Sequence, residues 1–430
     1  MKKITICSPA LAMFALSVCP ALVSCSQEDL VAEAPGEKDV ASVSPFKIPL
    51  REAIGNAERA MRLIEGGRST RSRTLGKVEY ISSVATRSGT PDTLFYVVNF
   101  SGDNGFAVLS ADRRLPDVYA ISDEGHLDMN DTVRNKGLGL FFSGLPASVP
   151  PIGIDTTVYE PLYPPSYEND NSYRIDPMFD GNVRRWHQKS PFNLMCPIEY
   201  FSTEESDSRK EVRSLVGCVP LSTAMIMSYY EWPKVYNRVE FNWSVIKTIN
   251  PTMDATSADQ VNGVQKKLLD LLAWLGDKDN YDSLQTSTAT GAFVEPKYKD
   301  VFQKFGYRRP ADFEDFTNIG LKAMIDQRKP ALIYGNGHMW VVDGLIYDAD
   351  VEVVNPGGMN YWKRGEGLMF HLVWGRKGEA NGYFRFDDGF EHIGKFQDSN
   401  DPEWQEYWVK EYSLSRYREL RICNDFEPLR

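Results

Sequence analysis

A cluster of prolines between residues 146 and 177 separates two parts of this chain, each with its own pattern of helices and strands. The prolines stand among Tyr, Asp and Asn without strand or helix periodicity, at positions 146, 150, 151, 161, 164, 165 and 177. Proline fixes φ and removes a backbone donor, so such a stretch favours an extended linker. We therefore expect a linker over residues 146–180 that is open to proteolysis and joins two folded parts.

The part before the linker, residues 46–145, has the patterns of a small α+β domain. Apolar side chains recur at helical spacing between residues 50 and 64, which predicts a helix of about four turns. Two β-rich runs, 94–100 and 106–109, are joined by a five-residue turn and predict a hairpin. The apolar stripe of the helix needs a sheet to cover it, so we expect the two to pack together.

The part after the linker, residues 181–430, begins with helices and ends with strands. Apolar patterns predict a helix after Cys218 and another over 264–275. Short β-rich runs predict an antiparallel sheet, at 331–334, 339–342, 352–354, 370–374 and 383–386. The predicted fold class is therefore α+β, with a helical half and an antiparallel half in this larger domain.

The N-terminus has the layout of a bacterial export signal. A basic pair precedes a mostly apolar run over residues 4–22. Residues 22–25, Leu-Val-Ser-Cys, resemble a lipobox, which implies cleavage before Cys25 and lipidation of its thiol. An ordinary secretory signal is the alternative. Residues 26–45 then predict a flexible tether, and we expect an outer-membrane or periplasmic lipoprotein of the cell envelope, or a protein secreted after processing.

Cysteine usage points to a free thiol. The chain has six cysteines. Loss of Cys7 and Cys19 with the signal, and lipidation of Cys25, would leave three, namely Cys196, Cys218 and Cys423. An odd number in an exported chain indicates a free reactive residue, while Cys196 and Cys423 could pair or simply be buried. Neither the cysteines nor the scattered histidines have metal-ligand spacing, so no metal or cofactor is expected. The net charge of -11 argues against a nucleic-acid partner.

Cys218 is the candidate nucleophile. It follows Gly217 and precedes Val219-Pro220 at the predicted start of a helix. A thiol at a helix N-terminus meets unpaired N–H groups and the positive end of the dipole, which can lower its pKa from about 8.5 toward roughly 3.5–7.5. A buried structural cysteine is the alternative.

His338 is the candidate partner of this thiol. It stands where a glycine-rich turn meets a predicted strand, 120 residues after Cys218, which suits a Cys–His pair built from distant segments. His371 lies within a predicted strand and is expected to be structural. The settings of the other three histidines, His126, His187 and His392, do not suggest a catalytic role.

Three motifs in order resemble those of the streptopain family of secreted papain-like cysteine peptidases. They are Gly-Cys218-Val with a downstream Tyr-Tyr-x-Trp-Pro, Gly-His338-x-x-Val-x-Asp-Gly, and Trp186-His-Gln188-x-x-Pro-Phe-Asn. Residues 95–125 are similar to the propeptide of bacterial members and to related small inhibitors. The resemblance covers about residues 46–390 and implies a papain-like catalytic domain behind an inhibitory prodomain.

The resemblance implies a role for each matched position. Cys218 would attack peptide carbonyls as a thiolate, and His338 would protonate the leaving amine. Gln188 would form the oxyanion hole with the Cys218 N–H, and Trp374 would shield the histidine from water. Three glycines, Gly217, Gly335 and Gly337, would line the cleft, although turn formation alone could explain the last two. The prodomain would cover the cleft until the linker is cut, and the substrates would be polypeptides.

Two positions depart from the family pattern. Val373 stands where an asparagine would orient the histidine, and Arg376 replaces a tryptophan of the cleft-edge loop. We expect weakened rather than abolished activity, with a backbone carbonyl or water in place of the asparagine. A degenerate relative that binds peptides without cutting them, or a Cys–His acyl transferase of the transglutaminase type, are the alternatives.

Overall fold

A computed structural model defines the fold of most of the 430-residue chain. It describes residues 47–65, 73–82, 92–113, 115–145, 160–161, 172–203, 206–281, 284–285, 290–291, 294–348, 351–354, 361–364, 367–386, 393–396, 405–408, 417 and 419–430. The predicted signal with Cys25, the tether and most of the predicted linker lie outside the described residues.

Helices and strands both occur on each side of the linker. The helices are α1 (Leu50–Ile64), α2 (Asp131–Arg134), α3 (Lys136–Gly144), α4 (Gly181–Arg184), α5 (Cys218–Tyr230), α6 (Trp243–Ile246), α7 (Lys266–Gly276), α8 (Val294–Lys304) and α9 (Asn318–Asp326), with a 3-10 turn at Ala258–Gln260. In the described part of the chain, none is long and apolar enough to cross a membrane.

The strands include those predicted from the β-rich runs. They are β1 (Leu75–Ser82), β2 (Thr93–Phe100), β3 (Phe106–Ser110), β4 (Val118–Ser122), β5 (Glu160–Pro161), β6 (Tyr173–Ile175), β7 (Ile198–Thr203), β8 (Ser206–Arg213), β9 (Val235–Tyr236), β10 (Val239–Glu240), β11 (Leu284–Gln285), β12 (Thr290–Gly291), β13 (Glu314–Asp315), β14 (Ala331–Gly335), β15 (His338–Asp348), β16 (Val351–Val354), β17 (Tyr361–Arg364), β18 (Gly367–Val373), β19 (Gly382–Phe384), β20 (Ile393–Phe396), β21 (Gln405–Trp408) and β22 (Arg421–Cys423). The predicted α+β class is confirmed.

One antiparallel sheet runs through both folded parts. Its strand order is β1-β2-β3-β4-β19-β18-β15-β14-β22-β13, and β6 also pairs with β15. The two parts meet where β4 pairs with β19, with Ile121 opposite Tyr383 and Ala120 opposite Phe384. The segments before and after the linker are therefore joined edge to edge, a pairing that neither segment's own pattern indicates.

The two faces of this sheet carry different helices. Side chains alternate along β15, so Met339 and Val341 pack into the same cluster as α5 and α7, whereas Trp340 and Val342 pack with α3 and α9. The helix α1 buries its alanine-rich face against β2 to β4, as predicted from its spacing. The N-terminus of α5 and the start of β15 consequently lie close together, which positions the candidate site.

Candidate active site

Cys218 is the first residue of α5. Gly217 precedes it with φ 95° and ψ 143°, a conformation that a residue with a Cβ rarely adopts. Backbone hydrogen bonds from Met339, Cys218 and Val219 act to lower the pKa of the thiol, but its burial outweighs them and raises that pKa from its ordinary value. In the state that the structure records, the sulfur is therefore held as a neutral thiol.

His338 opens β15 directly before Met339, whose backbone bonds the sulfur. Its Nε2 lies 3.3 Å from the Trp374 carbonyl oxygen. A carbonyl can only accept, so the hydrogen bond requires a proton on Nε2, and in the neutral ring Nδ1 is then the basic nitrogen. This tautomer leaves Nδ1 able to take a proton from a thiol.

The His338 imidazole is uncharged at neutral pH. Burial is the main cause that lowers its pKa to about 4, and the positive charges of Arg376 and Lys136 add to the effect. The Trp374 carbonyl acts in the opposite direction. A protonated thiol and a neutral imidazole are not the thiolate–imidazolium pair that attacks peptide bonds.

One aromatic ring stacks on the imidazole, and a second packs on the first. The Trp340 ring stacks on the His338 ring, with centroids 5.8 Å apart and an interplanar angle of 20°. The Trp374 ring packs against the Trp340 ring, with centroids 5.2 Å apart. Trp374 thus contacts His338 through its carbonyl, while the ring contact comes from Trp340. The motifs did not point to Trp340, although residues 338 and 340 share one face of a strand and that spacing could have indicated it.

Helix α3, from before the linker, covers the site. The Lys136 carbonyl accepts a hydrogen bond from Asn336 Nδ2 at 3.0 Å, in the turn before His338. A Cβ on Gly137 would lie 2.6 Å from the Trp374 ring, so α3 approaches that ring as closely as only a glycine allows. A Cβ on Gly337 would meet Lys136 Nζ at 2.9 Å. The candidate cleft residue Gly337 therefore faces the covering helix.

Ion pairs connect the segment that includes α2 and α3 to the catalytic part at the edge of the site. Arg376, at the position of the family tryptophan, lies 3.8 Å from Asp131 of α2, and its guanidinium is 3.5 Å from the Arg134 carbonyl. Arg185 lies 3.1 Å from Glu124. Because Asp131 and Glu124 precede the linker and both arginines follow it, these charges connect the two parts.

The other predicted site residues are less directly placed. The Gln188 carbonyl accepts from the Val216 N–H at 3.0 Å, which puts the Gln188 backbone beside the Gly217–Cys218 turn. Gly335 is buried, and a Cβ there would lie 2.7 Å from the Glu419 carbonyl. This close packing explains the glycine, and the position of Gly335 in the cleft lining stays a prediction.

The remaining titratable groups lie in other environments. His371 is buried, with Nδ1 2.5 Å from Asp343, which agrees with a structural residue. Cys196 and Cys423 are both buried and free, which answers the open question of whether they pair. Within the described ranges, no group of His, Cys, Asp and Glu is arranged to hold a metal ion.

Comparisons with known proteins agree with this geometry. The family model described as the peptidase C10 family matches residues 186–384, and that of the Spi protease inhibitor matches residues 41–147. Streptopain of Streptococcus pyogenes is 24% identical over 366 residues, which cover 78% of this chain and 83% of streptopain. The thiol protease/hemagglutinin PrtT of Porphyromonas gingivalis is 24% identical over 169 residues, 37% of this chain and 17% of that protein.

A solved structure of Prevotella intermedia prointerpain A aligns with 82% of this chain and 98% of that fragment, at 15% identity and a TM-score of 0.46. The two family matches fall in chain order on the covering part and on the part that carries Cys218 and His338. Residues 186–384 therefore form a catalytic domain of the peptidase C10 family, that of streptopain, and the chain is a cysteine peptidase with an Spi-type inhibitor domain ahead of this domain.

Proposed function

We propose that Cys218 and His338 hydrolyse internal peptide bonds of polypeptides once the prodomain has left the cleft. One observation carries this proposal: the sulfur at the start of α5 is bonded by the backbone of Met339, the residue next to His338. The helix N-terminus and these backbone donors are suited to a thiolate as soon as burial no longer opposes ionisation.

In the proposed reaction, the thiolate attacks the substrate carbonyl carbon and forms a thioester after the C–N bond breaks. The His338 imidazolium gives its proton to the leaving amine, and the neutral ring then activates the water that hydrolyses the thioester. Gln188 and the Cys218 N–H would hold the tetrahedral oxygen. Loss of one such donor typically costs about 10²- to 10³-fold in rate.

The prodomain is proposed to keep the enzyme silent by two physical effects. Helix α3 excludes water from the pair, which disfavours both the thiolate and the imidazolium, and Lys136 adds a positive charge beside the imidazole. Departure of α3 would remove both effects on His338. The ring would then be free to meet the thiol and form the charged pair.

Activation is proposed to occur by cleavage in the linker before Tyr173. Strand β6 pairs with β15 through Ile175, Arg174 and Tyr173, within the sheet of the catalytic domain. A cut upstream of β6 would leave that pairing intact in the mature enzyme. The proline-rich composition of residues 146–171 favours such a cut.

Export and anchorage are proposed from the N-terminal sequence alone. Lipidation of Cys25 would attach the zymogen to the cell envelope, and linker cleavage followed by release of the prodomain would then separate the peptidase from its anchor. Metabolic labelling with a fatty acid tests the first step, because labelling should be lost in Cys25→Ala. An active preparation whose catalytic chain still begins at Cys25 would contradict the second step.

The function is tested by hydrolysis of casein or a fluorogenic peptide by the chain without residues 1–25, under reducing conditions. Turnover should disappear in Cys218→Ala and persist in Cys196→Ala, a matched control because Cys196 is a buried free thiol. A peptide epoxide should label the active enzyme at Cys218. If a second protease removes the prodomain and neither turnover nor labelling follows, the chain is a peptide-binding relative and the proposed hydrolysis is wrong.

A further inference from the structure

We propose that Asn381 is a positioning residue of this peptidase, which holds the backbone of Trp374 so that its carbonyl orients the His338 imidazole. The inference rests on the proposed function of the Cys218–His338 pair. It answers how a chain with Val373 at the position of the family asparagine supports its histidine.

Asn381 is buried, with 2% of its surface exposed, and both ends of its amide are bonded. Its Oδ1 accepts from the Trp374 N–H at 3.0 Å, and its Nδ2 donates to the Arg184 carbonyl at 2.8 Å. The Trp374 indole donates to the Ala380 carbonyl at 2.9 Å. The loop between Trp374 and Asn381 is therefore closed at both ends, which holds the Trp374 residue in place.

The position of that residue matters because the carbonyl of Trp374 is the hydrogen-bond partner of His338 Nε2. Val373 has no polar atom with which to replace it. Trp374 directly follows β18, whose Val373 pairs with Val341 of β15, so its carbonyl lies near the start of the strand that His338 opens. When the imidazolium forms, its Nε2–H donates a charge-assisted bond to the same oxygen, which stabilises the charged form.

The other end of the amide reaches the oxyanion side of the site. Arg184 ends α4, four residues before Gln188. One side chain thus connects the support of His338 with the segment that carries Gln188. Loss of Asn381 would let the two move independently, and misplacement by about 1 Å in a catalytic geometry costs about 10²-fold.

The test compares Asn381→Ala, which removes both bonds, with Asn381→Asp, which keeps an acceptor for the Trp374 N–H and loses the donor to Arg184. Asn424→Ala is the matched control, because this buried asparagine donates its amide to the Met324 carbonyl at 3.0 Å. Each processed enzyme is assayed for kcat, KM and the pH dependence of kcat/KM. Thermal melting measures stability separately.

We expect kcat to fall by about 10- to 100-fold in Asn381→Ala, with KM within about twofold, and by less in Asn381→Asp. The alkaline limb of the profile should move to lower pH by roughly 0.5–1 unit, because an imidazolium whose acceptor is displaced loses its proton more readily. Asn424→Ala should leave the alkaline limb of the kcat/KM profile unchanged, even if the melting temperature of this variant is lower.

If kcat and the alkaline limb of the kcat/KM profile are unchanged in both Asn381 variants, or if only the melting temperature falls, Asn381 is only structural. Either result would overturn the inference. If Asn381→Ala does not fold, Asn381→Asp decides by the same two readouts. Failure of the proposed function is recognised separately, since the unsubstituted enzyme would then be inactive.

Discussion

Acid should open the prodomain through His338. In the covered state the pKa of this imidazole is lowered to about 4, because burial and the charges of Arg376 and Lys136 disfavour its protonated form. Once α3 moves away, the ring returns toward its ordinary pKa of 6.5. Between these values the open form binds more protons than the covered form, so opening becomes more favourable as the pH falls from about 6.5 to about 4.

The magnitude follows from the two pKa values. The ratio of open to covered chains scales as (1 + 10^(6.5 − pH))/(1 + 10^(4 − pH)), which rises about 20-fold between pH 7 and pH 5, or ~2 kcal/mol. Its cause is local, so the effect should disappear when position 338 cannot be protonated. The measurement uses Cys218→Ala, because this variant cannot process itself and has no thiolate that would pair with the His338 imidazolium.

Hydrogen exchange of the α3 amides measures this opening directly. After correction for the intrinsic pH dependence of exchange, protection should fall about 20-fold more between pH 7 and pH 5 in Cys218→Ala than in Cys218→Ala with His338→Gln. The double variant is the control for every other titrating group. Equal pH dependence in the two chains would refute the electrostatic coupling between His338 and the cover.

Three further predictions concern the contact between the two parts. Gly137→Val should expel α3 from the Trp374 ring and increase epoxide labelling of Cys218 in the uncut chain, whereas Gly55→Ala, where no atom lies within 4 Å of the added Cβ, should not. Arg376→Glu should oppose Asp131 and speed processing, and Asp131→Arg added to it should restore the slower rate; no restoration would show that the 3.8 Å pair does not hold the cover. After linker cleavage of Cys218→Ala, the two parts should still co-elute in gel filtration at pH 7, because β4 stays paired with β19; immediate separation would contradict this.

Much of the fold was predictable because local patterns specify local elements. The spacing of apolar residues predicted α1, observed at Leu50–Ile64, and the β-rich runs predicted β2 and β3. The junction of β4 with β19 was not predictable, since pairing between strands more than 250 residues apart leaves no periodicity in either segment. These local elements were therefore visible in sequence, whereas the shared sheet was not.

The candidate site divides in the same way. Cys218 and His338 stand in motifs whose glycines mark sharp backbone turns, and sequence alone singles them out. Lys136 lies 202 residues before His338 in the sequence, and Asn381 contacts backbone atoms of Trp374 and Arg184. Neither kind of contact leaves a motif in the sequence. The missing asparagine at Val373 did predict that a backbone carbonyl could take its place. The Trp374 carbonyl at 3.3 Å from His338 is such a group.

The contacts around His338 fall into those that activation removes and those that it keeps. Lys136 and the cover by α3 belong to the prodomain, so cleavage and release take them away. The Trp374 carbonyl, its bond to Asn381 and the bond from Asn381 to Arg184 all lie within the catalytic domain and survive release. The charge of Arg376, which also disfavours the protonated ring, stays as well, but burial by α3 and the charge of Lys136 are separable from the contacts that orient the imidazole. Release of one helix can therefore change the charge of the pair without rebuilding its support.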